Sequence, residues 1–434
     1  MSNSLHMLQE YARAMGTFNY KQIISLLVVV FLTFTGVGVS PACTIGVASG
    51  KATVDERPMI WKTRDTSIKN NKVLYNNACQ YKFVGVINAG DSEPAVWQGV
   101  NEKGFAILNA QSDDLGKFKE PSCDFDNGYL MRKALGYCAT VDEFETLLIR
   151  TNDLFRETMT IYAVIDATGA AAIFETANDR YQKYDATDEK ISPNGYIVRS
   201  NFSVMAGEKN NDSKAASLAR YERSSVLMEG FYANGKISHK DILRGQMRDF
   251  SDKDGKPISI PYCGKSTEQG EYGYIDCNWS ICRNSTASTS VFVGVLDGED
   301  PKLSTMWTIL GHPATSIAIP YWPIGKTPKE ANGKSTSQLC DISLKIKTLL
   351  FDGKARHIDT FKLRDKNGDG IFKKFFPTED RIFAETEAEL AKWRKNSPDV
   401  EAMLALEKRY TSEVLSLLNK TYEQMKNFEP DRGI

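Results

Sequence analysis

The residue types that could do chemistry converge on one position. Cys43 follows Ser40-Pro41-Ala42, and these follow an uncharged apolar run at 23–39 (IISLLVVVFLTFTGVGV) with Lys21 just ahead of it. A charged lead, an apolar core and a small-x-small ending are the marks of a secretory signal peptide. Cleavage after Ala42 would remove residues 1–42 and leave Cys43 in first place. A cysteine there carries a nucleophile and a base on one residue. Its thiol attacks an acyl carbon, and its α-amine, with an ordinary pKa of about 8, takes and returns the proton. That arrangement needs no histidine, which suits a chain with only His6, His239, His312 and His357, no two of them close in sequence. The same scarcity disfavours a His-rich metal site or an H-E-x-x-H protease.

Two other readings of this segment stay open. The apolar run could be an uncleaved anchor, although it is slightly short of the about 20 apolar residues a span needs. Cys43 could instead carry lipid, although Ser40 stands where a lipidation site has an aliphatic residue. Met7 and Met15 are alternative starts to the lead.

Composition narrows the class. With 54 Lys+Arg against 55 Asp+Glu, a net charge of -1, the chain is no basic nucleic-acid binder. Its 41% hydrophobic and 25% charged residues are those of an ordinary globular protein. The eight cysteines include no C-x-x-C, so zinc-ribbon and thioredoxin-type motifs are absent. Cys263, Cys277 and Cys282 cluster in a Gly/Ser-rich stretch, and one disulfide is expected there.

The elements that must position Cys43 are strand hairpins. TIGVAS and MIWKTRD read as two strands, YKFVGVI (81–87) and AVWQGV (95–100) as two more. Asn101-Glu102-Lys103-Gly104 is a turn leading into FAILNA. TIYAVID and AAIFET flank Ala167-Thr168-Gly169 as another hairpin, and GYIVRSN and SVFVGVL are later strands. Helical spacing marks 127–150 and SKAASLARYERSSVLMEGFY. Local joining of strands predicts antiparallel sheets with covering helices rather than a doubly wound parallel sheet. The chain thus divides into 1–42, a mixed body at 43–340 and a C-terminal extension at 341–434. Within the extension, 379–428 reads as two surface helices interrupted at Pro398.

The order of motifs resembles the cysteine N-terminal-nucleophile hydrolases, the linear amide C–N hydrolases that include penicillin V acylase, bile salt hydrolase and acyl-coenzyme A:isopenicillin N acyltransferase. Four stretches over about 43–320 carry the resemblance: CTIGVASGKATVDERPMIWKTRD, GVNEKGFAILNA, TIYAVIDATGAAAIFE followed by GYIVRSN, and ASLARYERSSVL. It implies an α+β fold, a four-layer αββα sandwich of antiparallel sheets. It implies Cys43 as nucleophile and Asp65 as the carboxylate that orients the α-amine. Asn201 would be a side-chain donor of the oxyanion hole, Asn109 would offer its backbone N–H as the second donor, and Arg220 would support the charge balance. The family's arginine falls at Lys62 by strict spacing, with Arg64 the nearest arginine. In a strand Lys62 and Arg64 share one face and Asp65 points to the other unless the strand is bulged.

The reading is an exported amidohydrolase, periplasmic or secreted, acting on a small-molecule acyl-amide substrate, with no cofactor, no metal and no nucleic acid. Signal peptidase would mature it, and homo-oligomerisation is left open. An acyltransferase of the same family and a non-catalytic lipoprotein or binding module anchored through Cys43 are the alternatives. Asp365-x-Asn367-x-Asp369-Gly370 starts like a calcium loop but has Phe376 at its twelfth position, which favours an Asx-rich turn. Trp61, Trp97, Trp279, Trp307, Trp322 and Tyr321 are expected to serve the core more than an acyl pocket.

Overall fold

The computed structural model describes residues 42–91, 94–112, 114–115, 126–206, 215–256, 274–351 and 357–432. The expected signal segment other than Ala42, and Cys123 and Cys263, lie outside the described residues. The chain enters on β1 (Thr44–Ala48) and returns on β2 (Met59–Asp65), every residue of both being buried. Strands covered on both faces need not alternate apolar with polar, which is how MIWKTRD carries three charges inside the protein.

The next seven strands form one sheet in sequence order: β3 (Asn71–Asn76), β4 (Phe83–Asn88), β5 (Val96–Asn101), β6 (Ala106–Gln111), β7 (Thr160–Ile165), β8 (Ala171–Thr176) and β9 (Tyr181–Asp185). β3 and β9 were not legible as strands in the sequence. The β5–β6 turn is where Asn101-Glu102-Lys103-Gly104 placed it. Asn101 Oδ1 accepts the N–H groups of Lys103 and Phe105 at 3.0 and 3.1 Å, and Gly104 has φ +80°, which a glycine adopts without strain.

Helices α1 (Asn127–Tyr137) and α2 (Val141–Asn152) cover the outer face of this sheet. One helix over 127–150 was expected. It breaks at Cys138–Thr140 because Thr140 is extended and caps α2, accepting the Glu143 N–H at 3.1 Å. Leu130, Met131, Leu135, Phe144 and Leu148 meet Phe83, Phe105, Ile107, Tyr162 and Phe174 there. The alternate residues of the same strands, among them Val84, Val100, Leu108, Ala110, Ile161 and Ala163, face the other way and join Ile45 and Val47 in the second core.

That second core lies against a six-stranded sheet. Its order is β10-β1-β2-β12-β13-β14, with β10 at Tyr196–Arg199, β12 at Thr286–Val293, β13 at Thr305–Leu310 and β14 at Ile319–Tyr321. All pairings are antiparallel. A separate pair joins β11 (Tyr274–Asp276) to β15 (His357–Asp359). Helix α3 (Ala215–Ala233) lies by β1 and β10, and α4 (Gln338–Leu350), α5 (Ile371–Asn396) and α6 (Val400–Met425) complete this layer. The result is the α+β, four-layer αββα order that the resemblance implies.

Trp61, Trp307, Trp322 and Tyr321 are fully buried, whereas Trp279 is 40% exposed. Trp307 meets Phe383 of α5 at 5.0 Å and Trp322 meets Trp393 at 5.8 Å, both edge to face. Helix α5 starts at Ile371, earlier than residue 379. Asp365 forms the expected Asx turn, its Oδ1 accepting the N–H groups of Asn367 and Asp369 at 2.9 and 2.8 Å. Cys277 and Cys282 are free and buried, so the disulfide expected in this stretch does not join them. Cys282 Sγ instead lies 3.8 Å from His312 Nε2.

Gly46 is paired with Trp61 across β1 and β2, and the indole lies over it: a Cβ at this position would sit 2.1 Å from the ring. Gly46→Val should therefore lose about 1–3 kcal/mol of stability through overpacking, read as a lowered urea midpoint with an unchanged slope. An unshifted midpoint would show that Trp61 moves aside freely.

Candidate active site

Four strand ends and one helix meet at the start of β1. Continuing the register Thr44↔Thr63 places Cys43 opposite Arg64 on β2, and Ile45↔Arg199 places it beside the end of β10. Cys43 is only 6% exposed. Its backbone N–H donates to Asn201 Oδ1 at 2.5 Å. Its carbonyl accepts from Arg220 Nη1 at 2.6 Å and from Ser200 Oγ at 3.2 Å.

Arg220 reaches this point from the first turns of α3, fully buried. Nη1 also donates to Thr44 Oγ1 at 3.1 Å, Nη2 to Asn201 Oδ1 at 3.2 Å and Ser217 Oγ at 3.1 Å, and Nε to Ala216 O at 3.1 Å. Burial and repulsion from Arg283 lower its pKa to about 10, with Asp65 and Cys43 pulling the other way.

Asn201 was expected as an oxyanion donor. Here its carbonyl oxygen faces the nitrogen of residue 43, and its Nδ2 donates to Gln111 O at 2.8 Å. Two donors on Oδ1 fix that orientation of the amide. The other Nδ2 hydrogen is the one an oxyanion could use.

Lys62 and Arg64 share the inter-sheet face of β2, the parity read from the sequence. Lys62 Nζ donates to Asn109 Oδ1 at 2.6 Å and to Trp97 O at 2.9 Å on the facing sheet. Burial lowers its pKa to about 7, partly offset by Cys43; Arg64 lowers it further and Asp65 raises it. Arg64 donates to Asn71 Oδ1 at 2.5 Å and Asn88 Oδ1 at 3.0 Å and lies 4.7 Å from the Trp97 ring centroid. Trp97, half-buried, is therefore a wall beside Arg64. Burial brings the Arg64 pKa down to about 10. Asn109 lies in β6, paired with Tyr162 of β7, and the contact it makes toward Cys43's face is through its side chain on Lys62.

Asp65 departs from its expected place. The bulge that could turn it inward is in β12, between Thr286 and Ser288, not in β2. Its Oδ1 accepts from Thr286 Oγ1 at 2.7 Å, and Oδ2 lies 3.7 Å from Arg283 Nη1. The nitrogen of residue 43 is held by Asn201 instead. Burial raises the Asp65 pKa, and Arg283, Arg220, the Thr286 hydrogen bond and Lys69 pull it back. The structure thus brings Cys43, Asn201 and Arg220 into direct contact and sets Lys62, Arg64 and Asn109 on the thiol's face, with Asp65 behind the sheet. Sequence reasoning missed Ser200, Arg283, Thr286, Asn71 and Asn88. Ser200 adjoins Asn201 in the quoted GYIVRSN, whereas Arg283 and Thr286 come from far along the chain and Asn71 and Asn88 meet only through the β3–β4 pairing.

Residues 52–220 match the linear amide C–N hydrolases, choloylglycine hydrolase family. The match spans Lys62, Arg64, Asp65, Asn109, Asn201 and Arg220 and starts after Cys43. It bears out the resemblance to the linear amide C–N hydrolases and supports an amide-cleaving hydrolase. Similar solved structures include a mutant conjugated bile acid hydrolase from Clostridium perfringens, 12% identical over 64% of this chain and 92% of its own, TM-score 0.41. Penicillin V acylase from Agrobacterium tumefaciens is 18% identical over 64% of this chain and 85% of its own, TM-score 0.35. A Caenorhabditis elegans ortholog of N-acylethanolamine-hydrolyzing acid amidase is 16% identical over 46% and 84%, TM-score 0.34. No curated protein sequence matches the chain.

Arg220→Met should remove the donors to Cys43 O, Thr44 Oγ1 and Asn201 Oδ1 together. Cys43 O keeps Ser200 and Asn201 Oδ1 keeps the Cys43 N–H, but Thr44 Oγ1 loses its donor, and an unsatisfied buried group costs about 1–3 kcal/mol, so the variant should unfold at lower urea than wild type. Wild-type stability in Arg220→Met would mean that α3 does not clamp β1.

Proposed function

We propose that the protein is an exported amidohydrolase that cleaves a linear amide, an N-acyl amine or amino-acid conjugate, through a thioester on Cys43. The observation that carries this is the hold on the nitrogen of residue 43: Asn201 Oδ1 accepts its N–H while Arg220 fixes both Asn201 and the Cys43 carbonyl. Once residues 1–42 are removed, that nitrogen is a free amine already bound at one hydrogen. Its lone pair then accepts the thiol proton, and the sulfur attacks the amide carbon.

The tetrahedral intermediate carries its charge on the former carbonyl oxygen. The second Nδ2 hydrogen of Asn201 and the backbone N–H of Asn109 are the donors assigned to it. The protonated amine returns its proton to the leaving nitrogen, and water then cleaves the thioester by the same route.

Intact-mass measurement of the exported protein should give a chain beginning at an unmodified Cys43. Incubation with a panel of N-acyl amines and acid quenching should add one acyl mass at Cys43; a diacylglyceryl mass, or an acyl mass on another residue, would sink the reading. Cys43→Ala should fold normally and turn over none of these amides. Asn201→Ala should lower kcat by roughly 10²–10³ with KM little changed, as one deleted oxyanion donor does. Asn109→Ala should be milder, because its backbone N–H survives. Equal kcat losses in two normally melting variants would refute the assignment of Asn201.

A further inference from the structure

We propose that Lys62 is the proton partner of the Cys43 thiol, able to activate it even while the nitrogen of residue 43 is still in a peptide bond; this rests on Cys43 being the nucleophile. The two residues share one face of neighbouring antiparallel strands. Arg64 is the direct cross-strand neighbour of Cys43, so Lys62 is the diagonal one. Diagonal neighbours are about 7–8 Å apart at the backbone, within reach of a long side chain.

The partners of Lys62 are the wrong ones for a structural ammonium. Its Nζ is buried in the inter-sheet space on two neutral oxygens, Asn109 Oδ1 and Trp97 O, with no carboxylate in an ion pair among the described residues. A buried charge is normally paired or neutralised. The charged and titratable groups acting on it are Cys43, Arg64 and Asp65. Asp65 is turned to the far face, where Thr286 and Arg283 hold it. Arg64 repels it, and the thiol is the group on its own face that can supply a negative charge. Burial brings Lys62 to about 7, so a large share of it is the neutral amine near neutral pH. An arginine, by contrast, would hold its proton.

The step balances within the site. The S–H bond breaks, its proton bonds to the lone pair of neutral Lys62, and the sulfur keeps the electron pair that forms the bond to the acyl carbon. The resulting ammonium stays on the same face of the paired strands as the thiolate that made it. In a matured chain the α-amine takes that proton on from the Lys62 ammonium and delivers it to the leaving nitrogen.

The test uses the full chain and needs no substrate. Lysine Nζ is followed by ¹⁵N NMR across pH, the Lys62 signal being the one lost in Lys62→Arg. It should titrate near neutral, and capping Cys43 with methyl methanethiosulfonate should lower its midpoint, because the partner's negative charge is gone. Iodoacetamide labelling of Cys43, read by peptide mapping, should be at least roughly tenfold slower in Lys62→Met at about pH 7. A Lys62 that stays protonated to about pH 9, a midpoint indifferent to capping, or wild-type labelling of Lys62→Met would each overturn the proposal and leave Lys62 a strut between sheets. Because the NMR arm uses the wild-type residue, a poorly folding Lys62→Met does not rescue the idea. Absence of amide turnover alongside a coupled Lys62 would instead count against the amidohydrolase reading alone.

Discussion

A guanidinium with no ion-paired acid among the described residues holds this site together. All five N–H groups of Arg220 donate to oxygens of neutral groups: Ala216 O, Cys43 O, Thr44 Oγ1, Asn201 Oδ1 and Ser217 Oγ. Such a fully buried cation is tolerable only because every donor is satisfied. The arrangement is demanding in return. It fixes the start of β1, the end of β10 and the first turns of α3 to one planar fork, and a lysine, with a single point charge and three donors, could not replace it.

The charge around Cys43 is lopsided. Lys62 and Arg64 approach from the facing sheet's side and Arg220 from the helix side, while Asp65 is the acid coupled to Lys62 and Arg220 from behind β2, and Asp91 the one coupled to Arg64. Each cation is depressed by burial, so the protein holds them against their preference for water. That cost is recovered whenever negative charge develops at the thiol or at an oxygen bonded to the attacked carbon. A site of this kind favours anionic intermediates before any substrate arrives.

Much of this was legible in the chain. Hairpins are local, so their turn residues announced them, as Asn101 and Gly104 did for β5–β6. The parity of Lys62, Arg64 and Asp65 follows from strand geometry alone and held, since β2 is not bulged. The partners of Asp65 were not legible: family spacing named the residue, but what it meets is set more than 200 positions away, by Thr286 at the start of β12 and Arg283 just before it. Asn71 and Asn88 were likewise invisible, because only the pairing of β3 with β4 brings them together at Arg64. The split between α1 and α2 rests on Thr140, a capping signal inside a helical pattern. The free state of Cys277 and Cys282 depends on tertiary placement that no spacing records.

The two sheets differ in how their strands are ordered along the chain. The seven-stranded sheet runs β3 to β9 in chain order, and its pairings close short loops except β6 with β7, which α1 and α2 separate. The six-stranded sheet joins β1 to β10 and β2 to β12, closures that span most of the body. Closing long loops costs entropy before any contact rewards it, and non-local pairing is the slow part of folding. The meander with α1 and α2 is therefore the part expected to assemble first. Cys43, Asn201 and Arg220 come from segments that meet only when the second sheet shuts. The thiol remains accessible to oxidants and to other thiols for the whole of that interval, and its safe passage is a matter of folding speed as much as of site geometry.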